Sequence, residues 1–450
     1  MKKQVMMGLV IMARCPRTMG WVALAWFVCI TVSFAQEPTS TADRLPAQET
    51  EAAGPHRDAC VVCHLELDDD LDPADRIFSH IFSDVHFARE LSCADCHGGD
   101  PTAYDDEDLA MWDNESFVGV PDKVDLPNFC GKCHSDPTTM RRYNPRVNTD
   151  QVSQYYSSKH GQALVRGEER VAACVDCHGI HGILEADNPN SPVYHVNVPV
   201  TCATCHSQAT YMADFALPTD QFIKYQASVH GVALLEQKDL GAPACNDCHG
   251  NHGAVPPNVN DIAHVCGNCH INNQELFQNS HINDVFFEAG IPLCIGCHNK
   301  HAIAKSTDEF LNWESSMCLK CHEDGGVAKE LARTFYGIIS GLKMNIQHAD
   351  SLVERAEQKG MEISDLLFDV ENAHRALIQT RTSIHSFNAE FVHDTAAEGD
   401  TAAVRAAMGA ELLLSEYDFR RKGLFAASLI ITFLVIMIYL KIRQIERRQS

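Results

Sequence analysis

Three stretches of the chain have a marked pattern of apolar and polar positions, and each predicts a different element. Residues 21–34 are an uninterrupted apolar or small run that follows a basic start without acids. Residues 327–419 repeat apolar side chains at helical spacing. Residues 423–440 carry no charge and are just long enough to cross a bilayer as one helix. The pattern predicts an N-terminal targeting segment, a helical region and a membrane anchor.

The first stretch is typical of a secretory signal peptide. Residues 1–35 would form it, because small residues at the end of the apolar run allow cleavage after Ala35. An uncleaved N-terminal anchor is the alternative. Residues 36–55 are rich in Ala, Thr, Glu and Pro without an apolar period, and they are predicted to be a flexible lead.

The helical region, residues 325–422, is predicted to contain two antiparallel helices broken near Gly360 and a third helix that starts after Gly399. Its apolar repeat includes Ile338, Leu342, Ile346 and Leu352, and then Leu366, Leu367, Val370, Leu377 and Ile384. The third helix would continue into a transmembrane helix at residues 423–440, followed by a tail at residues 441–450. Basic residues flank this span on both sides, so they favour a cytoplasmic tail only weakly.

Cysteine and histidine add the chemistry, because the sequence has 20 cysteines and 24 histidines. All the cysteines except Cys15 and Cys29 belong to nine Cys-x-x-Cys-His motifs in residues 56–324. The motifs are Cys60-Cys63-His64, Cys93-Cys96-His97, Cys130-Cys133-His134, Cys174-Cys177-His178, Cys202-Cys205-His206, Cys245-Cys248-His249, Cys266-Cys269-His270, Cys294-Cys297-His298 and Cys318-Cys321-His322. Two thiols one helical turn apart can form thioethers to one porphyrin, while the adjacent imidazole ligates its iron. The motifs predict nine covalently bound c-type haems.

A zinc ribbon or a disulfide framework is the competing interpretation of paired cysteines. Neither requires a histidine directly after the second cysteine, whereas every pair here has one. Haem attachment is therefore favoured. Because covalent haem is attached outside the cytoplasm, the motif region is expected on the periplasmic side of the membrane, with the C-terminal tail inside.

The motifs follow an internal repeat. Four two-haem modules lie near residues 86–134, 160–206, 230–270 and 281–322, and the Cys60 motif stands outside them. A histidine precedes each module, and in three modules another lies three residues after the first motif histidine. The predicted second iron ligands are the histidines that recur in register, His160, His181, His230, His252, His281 and His301, with His80, His86, His195 and His264 as further candidates. No methionine recurs in register, so bis-histidine ligation and low potentials are predicted.

The first module departs from this pattern. Its first motif histidine, His97, is followed by Gly98-Gly99-Asp100, where the other modules place a histidine. The second ligand must come from elsewhere in the chain, or one iron is left open. An open iron here would be the place for a catalytic haem.

Charge narrows the range of partners. The chain has 60 acidic and 36 basic residues and a formal net charge of -24. Nucleic-acid binding is disfavoured, because phosphate binding needs a positive surface. The acidic runs at residues 68–70 and 105–108 are predicted to be solvated faces, with docking to a basic redox partner as the alternative.

The tandem Ser-x-His-Gly and Cys-x-x-Cys-His-Gly-x-His pattern over residues 56–322 resembles the cytochrome c3-like multihaem cytochromes with doubled Cys-x-x-Cys-His repeats. The resemblance implies respiratory electron transfer between a membrane quinol-oxidising system and periplasmic or extracellular acceptors. The predicted fold class is mainly α with much irregular structure, with a haem-packed body, a C-terminal helical hairpin and one transmembrane helix. The expected partners are a membrane redox subunit and periplasmic redox proteins.

Two other functions stay open at this point. The long C-terminal helices also resemble those of pentahaem nitrite reductases and hydroxylamine oxidoreductases, which implies reduction of nitrite, hydroxylamine or a sulfur oxyanion at one open haem, and a ligand from residues 384–388. Against this, no motif replaces its histidine by lysine, and His348, His374, His385 and His393 are predicted to be surface or interhelix residues. The other function is direct oxidation of quinol, with the anchor close to the last haem.

Overall fold

The structure is a computed structural model that describes residues 59–68, 78–113, 115–257, 262–323 and 326–449. The predicted signal peptide and flexible lead, residues 1–55, lie outside the described residues. The same holds for Asp69 and Asp70 of the first acidic run.

The described residues are mainly helical and contain no β-strand, as the sequence predicts. The motif region is built from short helices: α1 Ala59–Asp68, α2 Cys93–His97, α3 Leu126–His134, α4 Pro137–Tyr143, α5 Gln151–Ser157, α6 Lys159–Val165, α7 Cys174–His178, α8 Val198–His206, α9 Ala209–Met212, α10 Gln221–Gln226, α11 Val229–Gly231, α12 Cys245–His249, α13 Ile262–Gly267, α14 Ile271–Gln278, α15 His281–Glu288 and α16 Leu293–His298. Three longer helices follow, α17 Gly326–Gln358, α18 Ser364–Ser383 and α19 Ala389–Gln449. Short 3₁₀ or π turns lie at Phe78–Ser83, Phe87–Arg89, Asp108–Trp112, Ala213–Phe215, Val232–Glu236, Asp308–Leu311, Trp313–Ser315, Met317–Lys320 and Ile384–Ser386.

The buried apolar clusters of the motif region are small. One contains Val61, Ile81 and Phe87, another Tyr155, Leu164 and Val171, and another Leu234, Ala242 and Ala244. A chain segment of this length normally folds around a larger continuous core. Protein side chains alone therefore provide little apolar packing in this region.

The C-terminal helices α17, α18 and α19 form a bundle with an extensive apolar core. Leu342 and Ala349 of α17 and Ala373 of α18 are fully buried. They pack against a face of α19 that consists mainly of alanine, so the helix backbones can approach closely. The bundle is joined to the segment before the ninth motif by Asp308, which accepts hydrogen bonds from Arg381 at 2.8 Å and from Lys343 at 3.2 Å.

The helix break at Gly360 has the predicted place, since α17 ends at Gln358 and Gly360 has a φ of +70°. The predicted start of the third helix after Gly399 is wrong, because α19 begins at Ala389 and Gly399 lies inside it. A Cβ atom at position 399 would lie 2.7 Å from Cβ of Ala376 and 3.0 Å from Cδ1 of Leu342. The glycine thus permits close helix packing and does not end a helix.

Replacing Leu342 by alanine is expected to destabilise the bundle by about 3 kcal/mol, because the side chain is fully buried and its loss leaves a cavity. Met344, on the same helix, is 64% exposed. Met344→Ala should therefore change the free energy of unfolding by less than about 0.5 kcal/mol. Chemical denaturation followed by far-UV circular dichroism measures both values, and equal effects of the two substitutions would contradict the packing described here.

The helix α19 extends beyond the bundle. It has 61 residues and is the one helix in the described ranges that is long and apolar enough to cross a membrane. None of its apolar segment is buried. The part before residue 423 is about 50 Å long at the rise of an α-helix. The bundle therefore separates the motif region from the candidate membrane span.

Candidate functional site

In the first three modules, the first motif forms one helical turn from its first cysteine to its histidine, as in α2, α7 and α12. The turn brings two thiols and an imidazole together on one short segment. An aspartate between the cysteines accepts a hydrogen bond from the backbone N–H before the first cysteine, which closes the start of the turn. These aspartates are Asp95, Asp176 and Asp247.

The residue after the motif histidine ends the turn. Gly98, Gly179 and Gly250 have φ values of +71°, +84° and +84°, and Asn299 has +63°. Glycine and asparagine tolerate this left-handed conformation better than other residues do. The chain therefore leaves the helix directly after the imidazole in all four modules.

Within the described ranges, seven motif histidines each face a second imidazole, and the ring centroids of each of these pairs are 5.9–6.2 Å apart. The pairs are His134 with His86, His97 with His181, His206 with His160, His178 with His252, His270 with His230, His249 with His301 and His298 with His385. Six of these second imidazoles are among the ligands predicted from the sequence.

The pairs follow a rule that links neighbouring modules. The histidine that precedes a module pairs with the second motif of the same module, as His160 pairs with His206. The histidine three residues after a first motif histidine pairs with the first motif of the preceding module, as His252 pairs with His178. One backbone hydrogen bond repeats at each of these junctions: Val85 to Ile183, Lys159 to Ala254 and Val229 to Ile303. The modules therefore interlock.

The spacing of the rings fits a metal ion between them. An imidazole nitrogen binds a metal at about 2.0–2.1 Å, and the ring centre lies about 1.1 Å farther away. Two opposed imidazoles on one metal would have centroids about 6.2 Å apart. The observed spacing is nearly constant although the angle between the rings ranges from 6° in His178–His252 to 87° in His86–His134. A common spacer explains this constancy better than direct ring contact does.

The side chains around the pairs fit haem better than zinc. No group of three or more His, Cys, Asp or Glu side chains that could hold a metal ion occurs within the described residues. A structural zinc site needs four protein ligands. Two imidazoles instead provide the two axial ligands of a haem iron, whose other ligands belong to the porphyrin, and each pair has two cysteines of its own motif nearby.

Hydrogen bonds and burial prepare the imidazoles for metal binding. Nδ1 of His97 donates to the carbonyl of Gly119 at 2.8 Å, and Nδ1 of His385 donates to that of Thr382 at 2.9 Å, so that Nε2 carries the lone pair. Burial lowers the pKa of nine paired imidazoles, which favours the neutral form that ligates a metal. These are His134, His160, His178, His206, His230, His252, His298, His301 and His385.

Consecutive motifs lie side by side. Hydrogen-bond contacts join the thiols of Cys130 and Cys174, of Cys202 and Cys245, and of Cys266 and Cys294. Electrostatic interactions join Cys96 to Cys133, Cys177 to Cys202, Cys248 to Cys266 and Cys297 to Cys318. The motifs from the second to the ninth therefore form a row in the order of the sequence.

The first motif of the first module follows the same rule, because its second imidazole comes from the next module. His97 faces His181 at a centroid distance of 6.2 Å. Asp84 holds this arrangement, because it accepts backbone N–H groups of Gly182 at 2.8 Å and Ile183 at 2.7 Å, and Nδ1 of His86 at 3.0 Å. Burial alone would raise the pKa of the Asp84 carboxyl, but these hydrogen bonds outweigh it and lower the pKa to about 2.

Four other predicted ligands take no part in such ring pairs among the described residues. His80 lies next to Gly182, and His264 has Nδ1 3.3 Å from the side-chain amide nitrogen of Gln274. His195 donates from Nε2 to the carbonyl of Ala242 and has Nδ1 3.8 Å from Asp247, which disfavours its predicted role. His281 is exposed. The ligand roles of these residues stay predictions.

The position of His281 explains why it differs from its counterparts. It is the first residue of α15 and directly follows Ser280, whereas His160 and His230 are the second residues of their helices. A shift of one residue rotates a side chain by about 100° around the helix. His322, the histidine of the second motif in the same module, is also exposed, and no ring pair at His322 occurs in the part of the chain that the structure describes.

For His385, the sequence favoured a surface or interhelix position and left a ligand from residues 384–388 as the alternative, and the structure agrees better with the alternative. The imidazole of His385 is directed toward the eighth motif and lies 6.2 Å from His298. His374 and His393 instead lie at the surface next to Asp350 and Asp394. A useful signal was that the repeat leaves His298 without a following module that could supply its second imidazole.

Neither a protein-family model nor a curated protein matches this sequence.

Proposed function

We propose that the protein is a membrane-anchored multihaem c-type cytochrome that carries electrons along a row of haems on the periplasmic side of the membrane. The observation that carries this proposal is the set of seven opposed imidazole pairs, each with one histidine of a Cys-x-x-Cys-His motif. If the motifs did not all bind the same kind of cofactor, nothing would explain why the centroid distance of the imidazole pairs is nearly the same in all seven.

The packing of the motif region supports the same proposal. Its apolar clusters are small, and every described cysteine is partly or fully exposed. Porphyrins attached to these cysteines would fill the space between the short helices with apolar surface. The hydrophobic stabilisation that the side chains do not provide would then come from the cofactors.

Haem would supply reversible one-electron transfer at iron. The chain would hold it through the paired thiols and two imidazoles, and acceptors such as the carbonyls of Gly119 and Thr382 would determine the tautomer of these imidazoles. Bis-histidine coordination favours a low potential and leaves no position for a substrate. Because the motifs are adjacent in sequence order, electrons would move between the N-terminal and C-terminal ends of the row.

The bundle suggests how the row meets its partners. About 50 Å of helix separates the start of α19 from the candidate span, so the last motif does not lie close to the membrane anchor. This distance argues against direct oxidation of quinol by the chain. A membrane quinol-oxidising subunit that reaches up beside the bundle, or a periplasmic redox protein, is the favoured donor or acceptor.

A second function, reduction of a small oxyanion or of hydroxylamine at one open haem, is favoured by a single observation. The ninth motif has an exposed His322 that takes part in no ring pair among the described residues. The open position that sequence analysis placed in the first module would then lie at the other end of the row. A ninth haem with one protein imidazole would be high-spin.

Intact mass, haem absorbance and electron paramagnetic resonance of the purified protein test both functions. Nine covalent haems with nine low-spin signals are expected for an electron carrier. Nine haems with one high-spin signal would favour the reductase. A mature protein without tetrapyrrole, or with zinc bound to its cysteine pairs, would exclude both.

A further inference from the structure

Asp84 occupies a position in the first module that carries serine in the next two. Ser158 and Ser228 also lie two residues before their histidines, His160 and His230. Each serine hydroxyl accepts the backbone N–H of the glycine that follows its histidine, at 2.9 and 3.0 Å, and caps a short helix. Among the described residues, these serines make no hydrogen bond to an imidazole or to the next module.

Asp84 has a different set of contacts. One carboxylate oxygen accepts both the backbone N–H of His86 at 2.8 Å and its Nδ1–H at 3.0 Å. The other oxygen accepts the backbone N–H groups of Gly182 and Ile183, which directly follow His181. The side chain is only 7% exposed. One carboxylate therefore contacts one predicted axial imidazole and the backbone directly after another.

The two imidazoles belong to different pairs. His86 faces His134 of the third motif, and His181 faces His97 of the second motif. The backbone hydrogen bond between Val85 and Ile183 has equivalents at the other junctions, so it does not account for the aspartate. What is particular to this junction is the residue two positions before the preceding histidine, which is Asp84 here and Ser158 or Ser228 at the next two junctions.

We infer that Asp84 is a positioning residue that holds His181 opposite His97 and polarises His86 opposite His134. The inference rests on the proposed haem binding. A carboxylate on Nδ1 makes an imidazole a stronger electron donor and stabilises the oxidised iron. The haem of the Cys130 motif is therefore expected to have a lower potential than it would with serine at position 84.

The substitution Asp84→Ser tests this inference, because it installs the residue that the next two modules use. The hydroxyl can still cap the turn, but it is too short to reach Gly182 and Ile183. The variant is expected to retain nine haems, to bind carbon monoxide at one of them, and to show a raised midpoint potential at another. Ser158→Ala, at the equivalent position of the next module, should remove only a helix cap and change neither property.

Nine haems without carbon monoxide binding and with unchanged potentials in Asp84→Ser would overturn the inference. If that variant does not accumulate, electron paramagnetic resonance of the wild-type protein tests the inference instead. One low-spin signal with the reduced g anisotropy of an imidazolate-like ligand is expected, and its absence would overturn the polarisation of His86. Loss of haem from the wild type would instead refute the proposed function.

Discussion

Replacing His385 by alanine is expected to convert one haem in nine from a low-spin state to a high-spin state that binds carbon monoxide. The imidazole lies 6.2 Å from that of His298, and its Nδ1 is held by the carbonyl of Thr382. In the proposed cytochrome, removing it would leave the eighth haem iron with His298 as its one protein ligand. Carbon monoxide difference spectra and electron paramagnetic resonance would measure the change.

The chain offers a matched control for this experiment. His374 lies on α18 of the same bundle, but it is exposed and contacts only Asp350 at 3.2 Å. His374→Ala should therefore leave all haem signals unchanged and have little effect on stability. Added imidazole should restore the low-spin spectrum of His385→Ala. If His385→Ala kept its full set of low-spin haems and bound no carbon monoxide, another residue would have to ligate the eighth iron.

The bundle separates the motif region from the candidate membrane span. If His385 ligates the eighth haem, the bundle would also contribute to haem binding. The residue lies in the turn Ile384–Ser386 between α18 and α19, so its position depends on the packing of both helices. Asn273 of α14 contacts the same ring, with its amide nitrogen 3.3 Å from Nδ1. Folding of the bundle and ligation at the end of the haem row would thus be coupled.

Truncation before Gly423 is expected to move nearly all of the protein from the membrane to the soluble fraction without loss of haem. The apolar residues of the span each favour the membrane by about 0.3–0.6 kcal/mol, and none of the span packs against the rest of the chain. The bundle core ends before this point, since its last fully buried residue is Ala410 and the partly buried Leu413 and Leu414 follow. Membrane fractionation and haem absorbance would measure both results.

A shorter truncation serves as the control. Removing only residues 441–450 leaves the apolar segment intact, and this variant should stay in the membrane. A protein that remained membrane-bound after truncation before Gly423 would have another anchor, such as an uncleaved N-terminal segment. Loss of haem from the truncated protein would instead mean that the span contributes to the fold of the motif region.

Sequence alone was sufficient for the features that depend on local spacing. Motifs such as Cys93–His97 and Cys174–His178 span a single helical turn, so their three side chains are brought together by backbone geometry within five residues. The break at Gly360 and the apolar segment after Gly423 also follow from short-range pattern. Gly399 shows the limit of such reasoning, because a glycine that could end a helix instead allows α19 to pack against Leu342.

The identity of the facing imidazoles depended on the tertiary structure. His181 and His385 are far along the chain from His97 and His298, and only the path of the backbone between modules brings them together. His281 precedes its module as His160 does, but it lies one position earlier in its helix. This shift turns its side chain to another face of the helix. Residue type and short spacing therefore define which side chains can bind a cofactor. Which two imidazoles face each other depends on contacts between residues far apart in the sequence, and only the packed fold creates these contacts.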